Sequence, residues 1–293
     1  MTEPCSCNSP GYCIRHLQQK NPEQWITCLG KIGIRRQLDV ESGWSSVPDK
    51  SIFQEIKNKL DGAVKKSIPI NINDVHIAIL GHNYEQMNNI EDRSYLKKYI
   101  LKDLQLNQWG FLQSESFSES RAFFCDDLFP NNAEYVGVVT GSWNSKFNNS
   151  KIDDFHNWEN TSILAGNKNV VLCAHSLGGI DSSGAWNRFK YKEEIKKRLC
   201  EITGINDPKY FYNGIWSNQI ICRKKIYDEY CLFLKSKIHQ LLDELHNHLE
   251  SPYDDFSNRK FGYIIELVTW MWFASQSNLL VITNAKLKPE WYS

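Results

Sequence analysis

Short apolar runs bounded by turn residues mark the strands of this chain. VHIAIL, from Val75 to Leu80, reads as a buried strand ended by Gly81. AEYVGVVTGSW reads as a Val-rich strand closed by Gly141-Ser142, NVVLCA as a third, NQIICRKK as a fourth, and LLVIT near the end of the sequence as a last one. Such runs suit strands covered on both faces, which need no polar alternation. Between them the apolar spacing turns helical. IFQEIKNKLDGAV, SYLKKYILKDL and ESFSESRAFFCDDLF each predict a short helix. KKIYDEYCLFLKSKIHQLLDELHNHLE predicts a long one, with Ile226, Tyr230, Phe233, Leu234, Ile238, Leu241, Leu242 and Leu245 on one stripe and Ser251-Pro252 at its end. NRKFGYIIELVTWMWFA is apolar on nearly all sides and predicts a buried helix. Strands alternating with helices give the α/β class, with a mixed or mainly parallel sheet flanked by helices. The sequence has no internal repeat and no low-complexity segment.

The same pattern divides the chain. Residues 1–35 are dense in Cys, Pro and Gly, 36–70 read as a linker with one short helix, and 71–293 as the main α/β domain. Lys+Arg and Asp+Glu each number 34, so the net charge is zero and nothing suggests a nucleic acid or an anionic membrane as partner. No apolar run reaches the ~18 residues of a membrane span. The longest, FGYIIELVTWMWFA, carries Glu266 in its middle. MTEPCSCNSPGYC has neither the basic region nor the apolar core of a signal peptide, which predicts a cytoplasmic protein with reduced thiols.

In that setting the nine Cys attract notice, because four of them fall within the first 28 residues. Cys5, Cys7, Cys13, His16 and Cys28 are five candidates for the four places of a tetrahedral zinc site. Cys13-x-x-His16 has knuckle-like spacing, and Ser9-Pro10-Gly11 is turn material. A segment so short has no core of its own, so a metal would supply its folding energy. The expected role is structural.

VVLCAHSLGGID, residues 170–181, spells a different chemistry. Ala174 and Gly178 are the small residues that a nucleophile elbow needs around Ser176. The partners of a serine esterase do not follow. The only histidines after Ser176 are His239, His246 and His248, all on the long helix, and no His-Gly-Gly oxyanion motif lies upstream. Without a base, a serine hydroxyl is a poor nucleophile.

YFYNGIWSNQIICRKKIYDEYCLFLKSKI, and then SNRKFGYIIELVTWMWFA, resemble a family of bacterial capsular-polysaccharide-synthesis proteins with a glycosyltransferase type A fold. The matching residues are Asn218, Tyr227, Tyr230, Phe233 and Leu234, then Arg259, Gly262, Tyr263 and Glu266. Upstream, ESRAFFCDDLFPNNAEYVGVVTGSWNSKF is similar to the family's Glu-containing helix and following strand, with Glu119, Gly137, Trp143 and Lys146 in the corresponding places. The resemblance covers about residues 115–275. Thr140-Gly141-Ser142-Trp143 stands where the family has His-Tyr-Arg-Arg, and Phe233 where it usually has Trp.

The resemblance implies a nucleotide-sugar transferase-like fold that moves a hexose from a nucleotide sugar to a glycan or other hydroxyl acceptor. Type A transferases usually hold Mn²⁺ or Mg²⁺ on an Asp-x-Asp motif. This chain has none, only the adjacent pairs Asp126-Asp127, Asp153-Asp154 and Asp254-Asp255. Asp181, just past VVLCAHSLGGI, is then the expected donor-binding carboxylate. Gly178 and Gly179 would let the nucleotide or sugar approach the backbone. Trp143 and Trp216 are candidates for stacking on sugars, and Asn218 for the donor site. Arg259 and Glu266 stand seven apart, two helical turns, and so on one face. They are either a structural ion pair or an active-site pair, with Glu266 as the base for the acceptor hydroxyl and Arg259 orienting it or meeting phosphate. Two other readings stay open: a serine esterase using Ser176, and a carbohydrate-binding protein on a transferase fold without turnover.

Overall fold

In the computed structural model six strands form one sheet in the order β2-β1-β3-β5-β4-β6. Residues 70–140 (apart from 89, 91 and 114), 164–173, 189–206, 218–248 and 259–283 are described, with a few positions between 58 and 68. The strands are β1 (Val75–Gly81), β2 (Leu96–Ile100), β3 (Tyr135–Thr140), β4 (Val170–Cys173), β5 (Ile220–Arg223) and β6 (Leu280–Thr283). β1 is parallel to β2 and β3, and β4 is parallel to β6. β5 runs antiparallel to both of its neighbours, β3 and β4. The sheet is therefore mixed, with one strand reversed at its centre.

The apolar runs split cleanly by period two. Ala78, Leu80, Val136, Val138, Val171, Cys173, Ile220, Cys222 and Val281 face one core. Val75, Ile77, Ile79, Tyr135, Val139, Val170, Leu172 and Ile221 face the other. The first face is covered by α1 (Lys192–Thr203), α2 (Lys224–Leu245) and α3 (Lys260–Ser275). α2 presents the expected stripe: Ile226, Tyr230, Leu234, Ile238, Leu241 and Leu245 are buried, whereas Leu242 and Phe233 are half-buried. α3 is buried over most of its circumference, as its composition predicts, with Trp270, Met271 and Leu267 fully enclosed. Each such side chain contributes about 1.5–3 kcal/mol by leaving water.

Three expectations are corrected. SYLKKYILKDL is not a helix. Its Leu96–Ile100 portion is the edge strand β2, paired to β1 from Ile77↔Leu96 to Gly81↔Ile100, and a single 3-10 turn follows at Leu101–Asp103. An edge strand is only half covered, so Lys97 and Lys98 interrupt its apolar residues and imitate helical spacing. ESFSESRAFFCDDLF is not one regular helix either. Glu115–Phe124 consists of 3-10 turns broken at Ser118, which takes φ 46°, ψ −136°. The long helix stops at Leu245 and passes into a 3-10 turn, His246–His248, short of the expected end.

α1 escaped sequence reading altogether. Ile195, Leu199 and Ile202 are its buried stripe, Glu193 and Glu194 sit in its first turn, and Gly204 at φ 70° closes it through a bond from its N–H to the Cys200 carbonyl (2.9 Å). Of the short helix expected near 52–64, Asn58, Gly62 and Ala63 are helical and the rest lies outside the described residues. No helix among the described residues is long and apolar enough to cross a membrane.

Candidate active site at the carboxyl edge of the sheet

β1 pairs with β2 on one side and with β3 on the other, all three parallel, so successive strands are added to opposite sides of β1. Open α/β sheets leave a crevice for ligands at the carboxyl ends of such strands. β3 and β4 point the same way, since each is antiparallel to the β5 between them. β5 consequently begins where those two end: Ile220 pairs with Val138 of β3 and with Cys173 of β4. The two residues just before it, Asn218 and Gln219, stand at this carboxyl edge.

Asn218 is 5% exposed and adopts φ 54°, in the left-handed region that Asn tolerates better than most residues. Its amide is used at both ends. Nδ2 donates to Ser120 Oγ at 3.0 Å, and Oδ1 lies 2.8 Å from Thr269 Oγ1 on α3. Thr269 shares its one proton between that oxygen and the Ile265 carbonyl at 2.7 Å, and meets the Tyr230 hydroxyl on α2. Burial pushes the Tyr230 phenol well above its usual range, so it remains a proton donor. One chain of hydrogen bonds thus joins the 3-10 segment, the start of β5, α2 and α3.

A second cluster extends the same joint. Arg259, at the start of α3, donates through Nη2 to Glu119 Oε2 and Ser118 Oγ, both at 3.2 Å, and Ser118 Oγ also bonds Glu119. The guanidinium lies 5.7 Å from the Tyr263 ring centre. Arg121, 2% exposed, ties the broken turn together through Ser118 O and Gln113 O, both at 3.0 Å. Gly262 brings α3 so close to this segment that a Cβ would stand 3.2 Å from the Ser116 carbonyl and 3.3 Å from that of Phe117. Phe117 and Phe261 stack beside it, 5.3 Å apart. Tyr227 completes the joint from α2, donating to the Ala122 carbonyl at 3.1 Å.

The expected site residues are therefore distributed as follows. Arg259 and Asn218 belong to one joint, together with Glu119, Gly262, Tyr227 and Tyr230. Arg259 has its carboxylate partner in Glu119, 140 residues away in sequence, rather than by helical spacing in Glu266. Glu266 is half-buried on α3, three residues before Thr269. Trp143, Gly178, Gly179, Asp181, Ser176 and Trp216 lie outside the described residues, as do Cys5, Cys7, Cys13, His16 and Cys28. Among the described residues no three His, Cys, Asp or Glu side chains are grouped as metal ligands. Asp126 instead pairs with Lys235. His239 packs its ring on Phe111 at 5.2 Å, and His248 lies 3.2 Å from the Glu244 carbonyl. Burial pushes the Cys231 thiol up to about 12 and that of Cys222 higher still, so neither is a nucleophile.

Sequence reading missed Ser118, Ser120, Thr269 and Gln219. Gln219 is the least ordinary of them. It is 1% exposed, and neither its Nε2 nor its Oε1 has a hydrogen-bond partner among the described residues. An unmade bond on a buried amide costs about 1–3 kcal/mol. The signal was visible as a polar pair, Asn-Gln, set directly before IIC. Two clefts among the described residues lie away from this edge. One, of about 490 Å³, runs beside His76, Tyr95, Lys97 and Phe129. The other, of about 650 Å³, opens at the amino ends of β4 and β6 beside Asn58, Lys66, Asn167 and Asn278.

The chain matches no family profile and no curated protein. Among solved structures it is similar to the apo structure of the WbbM bifunctional glycosyltransferase, at 14% identity and a TM-score of 0.47, over 71% of this chain and 44% of that one. It thus spans less than half the length of that protein.

Proposed function

We propose that this protein is a glycosyltransferase that moves a hexose from a nucleotide sugar to a glycan or other hydroxyl acceptor at the carboxyl edge of its sheet. One observation carries the reading. The separate stretches on which the sequence resemblance rests, around Glu119, Asn218, Tyr227–Tyr230 and Arg259–Gly262, meet in a single joint, and Asn218 sets that joint at the carboxyl edge. Physically the joint is a scaffold. Its polar groups bond one another, so they hold the edge in shape more readily than they bind a substrate.

The reacting groups then belong to what the scaffold carries. β3 and β4 deliver the chain to this edge at Thr140 and Cys173, and the next residues in sequence include Trp143, Gly178, Gly179 and Asp181. We assign donor binding to these four. Glu266 is less than one helical turn from Thr269, which itself touches Asn218. In an inverting transfer its carboxylate would take the acceptor's hydroxyl proton as the acceptor oxygen bonds to the sugar C1 and the bond from C1 to the diphosphate breaks. Asp181 is the carboxylate among the four donor-binding residues that would help to hold the diphosphate, with or without a divalent metal.

Melting the purified protein with UDP-, GDP-, CMP- and dTDP-sugars, each with and without Mn²⁺, tests this reading. A ligand at about 100 times its Kd stabilises the native state by about 2.7 kcal/mol, a shift of several degrees. We expect one nucleotide class to give it. No shift with any class would overturn the proposal.

A further inference from the structure

Asn218 and Gln219 are neighbours with the same functional group, yet only one of the two amides is used by the fold. Continued one residue back, the alternation of β5 puts Gln219 on the face of Ile221, whose mainly aliphatic core includes Ile77, Ile79, Val139 and Leu172. A carboxamide gains nothing from such surroundings. Leu or Met would fill the volume without leaving a donor and an acceptor unmade. Buried polar groups are paired in the great majority of cases, and the exceptions call for a reason. The position supplies one. Gln219 ends that apolar face where β3 and β4 finish, at the edge where α/β sheets bind ligands.

We infer that the Gln219 carboxamide is a ligand-binding group, which reads a neutral partner presenting a donor and an acceptor side by side. This rests on the transferase reading, in which the partner is part of the nucleotide sugar. Nε2 offers two N–H donors and Oε1 two lone pairs, so one amide face matches a vicinal diol of the sugar or the imide edge of a pyrimidine base. Phosphate does not fit. It accepts only, so it can meet Nε2 but leaves Oε1 without a donor. Gln219 is thus a specificity residue for the neutral part of the donor, and the diphosphate must be held elsewhere.

Gln219→Met, which conserves volume, separates ligand binding from a structural role because the two predict opposite signs. If the amide is held for a ligand, the unliganded variant melts about 2–4 °C above wild type. The nucleotide sugar that shifts the wild-type protein then binds about tenfold or more weakly by calorimetry. Comparing that nucleotide sugar with its nucleoside diphosphate locates the contact. Loss confined to the former assigns the sugar diol, and equal loss for both assigns the base. A variant that melts below wild type overturns the proposal, since the amide would then be bonded within the fold. Undiminished binding overturns it as well. Should no nucleotide sugar shift the wild-type protein, the transferase reading falls, and free hexoses at high concentration take their place as probes. A hexose shift in wild type that Gln219→Met abolishes keeps the assignment. No hexose shift, or one the variant retains, overturns it.

Discussion

The two faces of the sheet solve the same packing problem with different chemistry. The face under α2 and α3 mixes aromatic rings with hydrogen-bonded polar groups. Tyr227 reaches the Ala122 carbonyl, Tyr230 and Thr269 meet, and Asn218 links Thr269 to Ser120. The opposite face is mainly aliphatic: Val75, Ile77, Ile79, Val139, Leu172 and Ile221 fill most of it, joined by Tyr95 and Tyr135, and none of the six aliphatic side chains has a polar group to fix its arrangement. Apolar packing tolerates many arrangements, whereas a satisfied polar network permits few. The bonded face therefore sets how the irregular segment Glu115–Phe124 sits on the helices, and the aliphatic face supplies burial. A lone carboxamide costs little on the first face and much on the second.

If the aliphatic face is held by close fit alone, crowding should damage it most. Gly137 of β3 is its tightest point. A Cβ there would stand 2.8 Å from Ile221 Cγ1 and 3.0 Å from the Ile220 carbonyl, with Ile77 Cγ1 at 3.3 Å. All three atoms belong to the neighbouring strands, and the Ile220 carbonyl is backbone held at the sheet's own spacing, so the sheet itself must open. Gly137→Val should cost about 3 kcal/mol or more, and Gly137→Ala less. Urea unfolding midpoints measure both. Wild-type stability in Gly137→Val would mean that this face is loosely packed.

The bonded face should respond to a lost partner rather than to added volume. Asn218→Ala removes the bonds to Ser120 and Thr269 and puts a β-carbon without a compensating polar group at φ 54°. We expect a loss of about 2 kcal/mol. Asn218→Gly loses the same bonds but is at ease at positive φ, so it should be the less damaging of the two. Equal costs would show that the hydrogen bonds alone matter. A smaller cost for Ala than for Gly would show that the left-handed backbone does not persist in solution.

The same contrast explains which features could be read from sequence. Strands flanked on both sides within the sheet (β1, β3, β4 and β5) announce themselves as apolar runs, and α3 does so as a helix apolar all round. β2 does not, because it lies at the sheet edge and its Lys97 and Lys98 turn an extended run into an apparent helix. α1 is short and charged, and its signature reduces to Ile195, Leu199, Ile202 and a closing Gly204. The joint was legible only in its members. Arg259, Asn218 and Glu119 stand out as polar residues beside apolar runs, but their pairing spans up to 140 positions, and helical spacing offered Glu266 as the nearer carboxylate. Local periodicity carries no information about such distant bonds. Gln219 was visible as a letter, and its singularity emerges only from the register that turns it toward Ile221.

The smallest expected effect concerns the thiols and phenols buried on the bonded face. Burial raises the Cys231 thiol from 9.0 to about 12, and Cys222, Tyr227 and Tyr230 are raised for the same reason. In the unfolded chain Cys231 loses its proton near pH 9, whereas in the folded protein it keeps it until about 12. Above the lower value the unfolded state binds fewer protons, so stability falls as pH rises through this window. Below it the contribution is complete. One thiol accounts for about 1 kcal/mol between pH 8 and 10. Melting curves over that range should therefore fall less steeply for Cys231→Ala than for wild type, after allowance for the lower starting stability of the variant. Parallel curves would mean that Cys231 is reached by water, and that the helix side of the sheet is less tightly closed than its bonds imply.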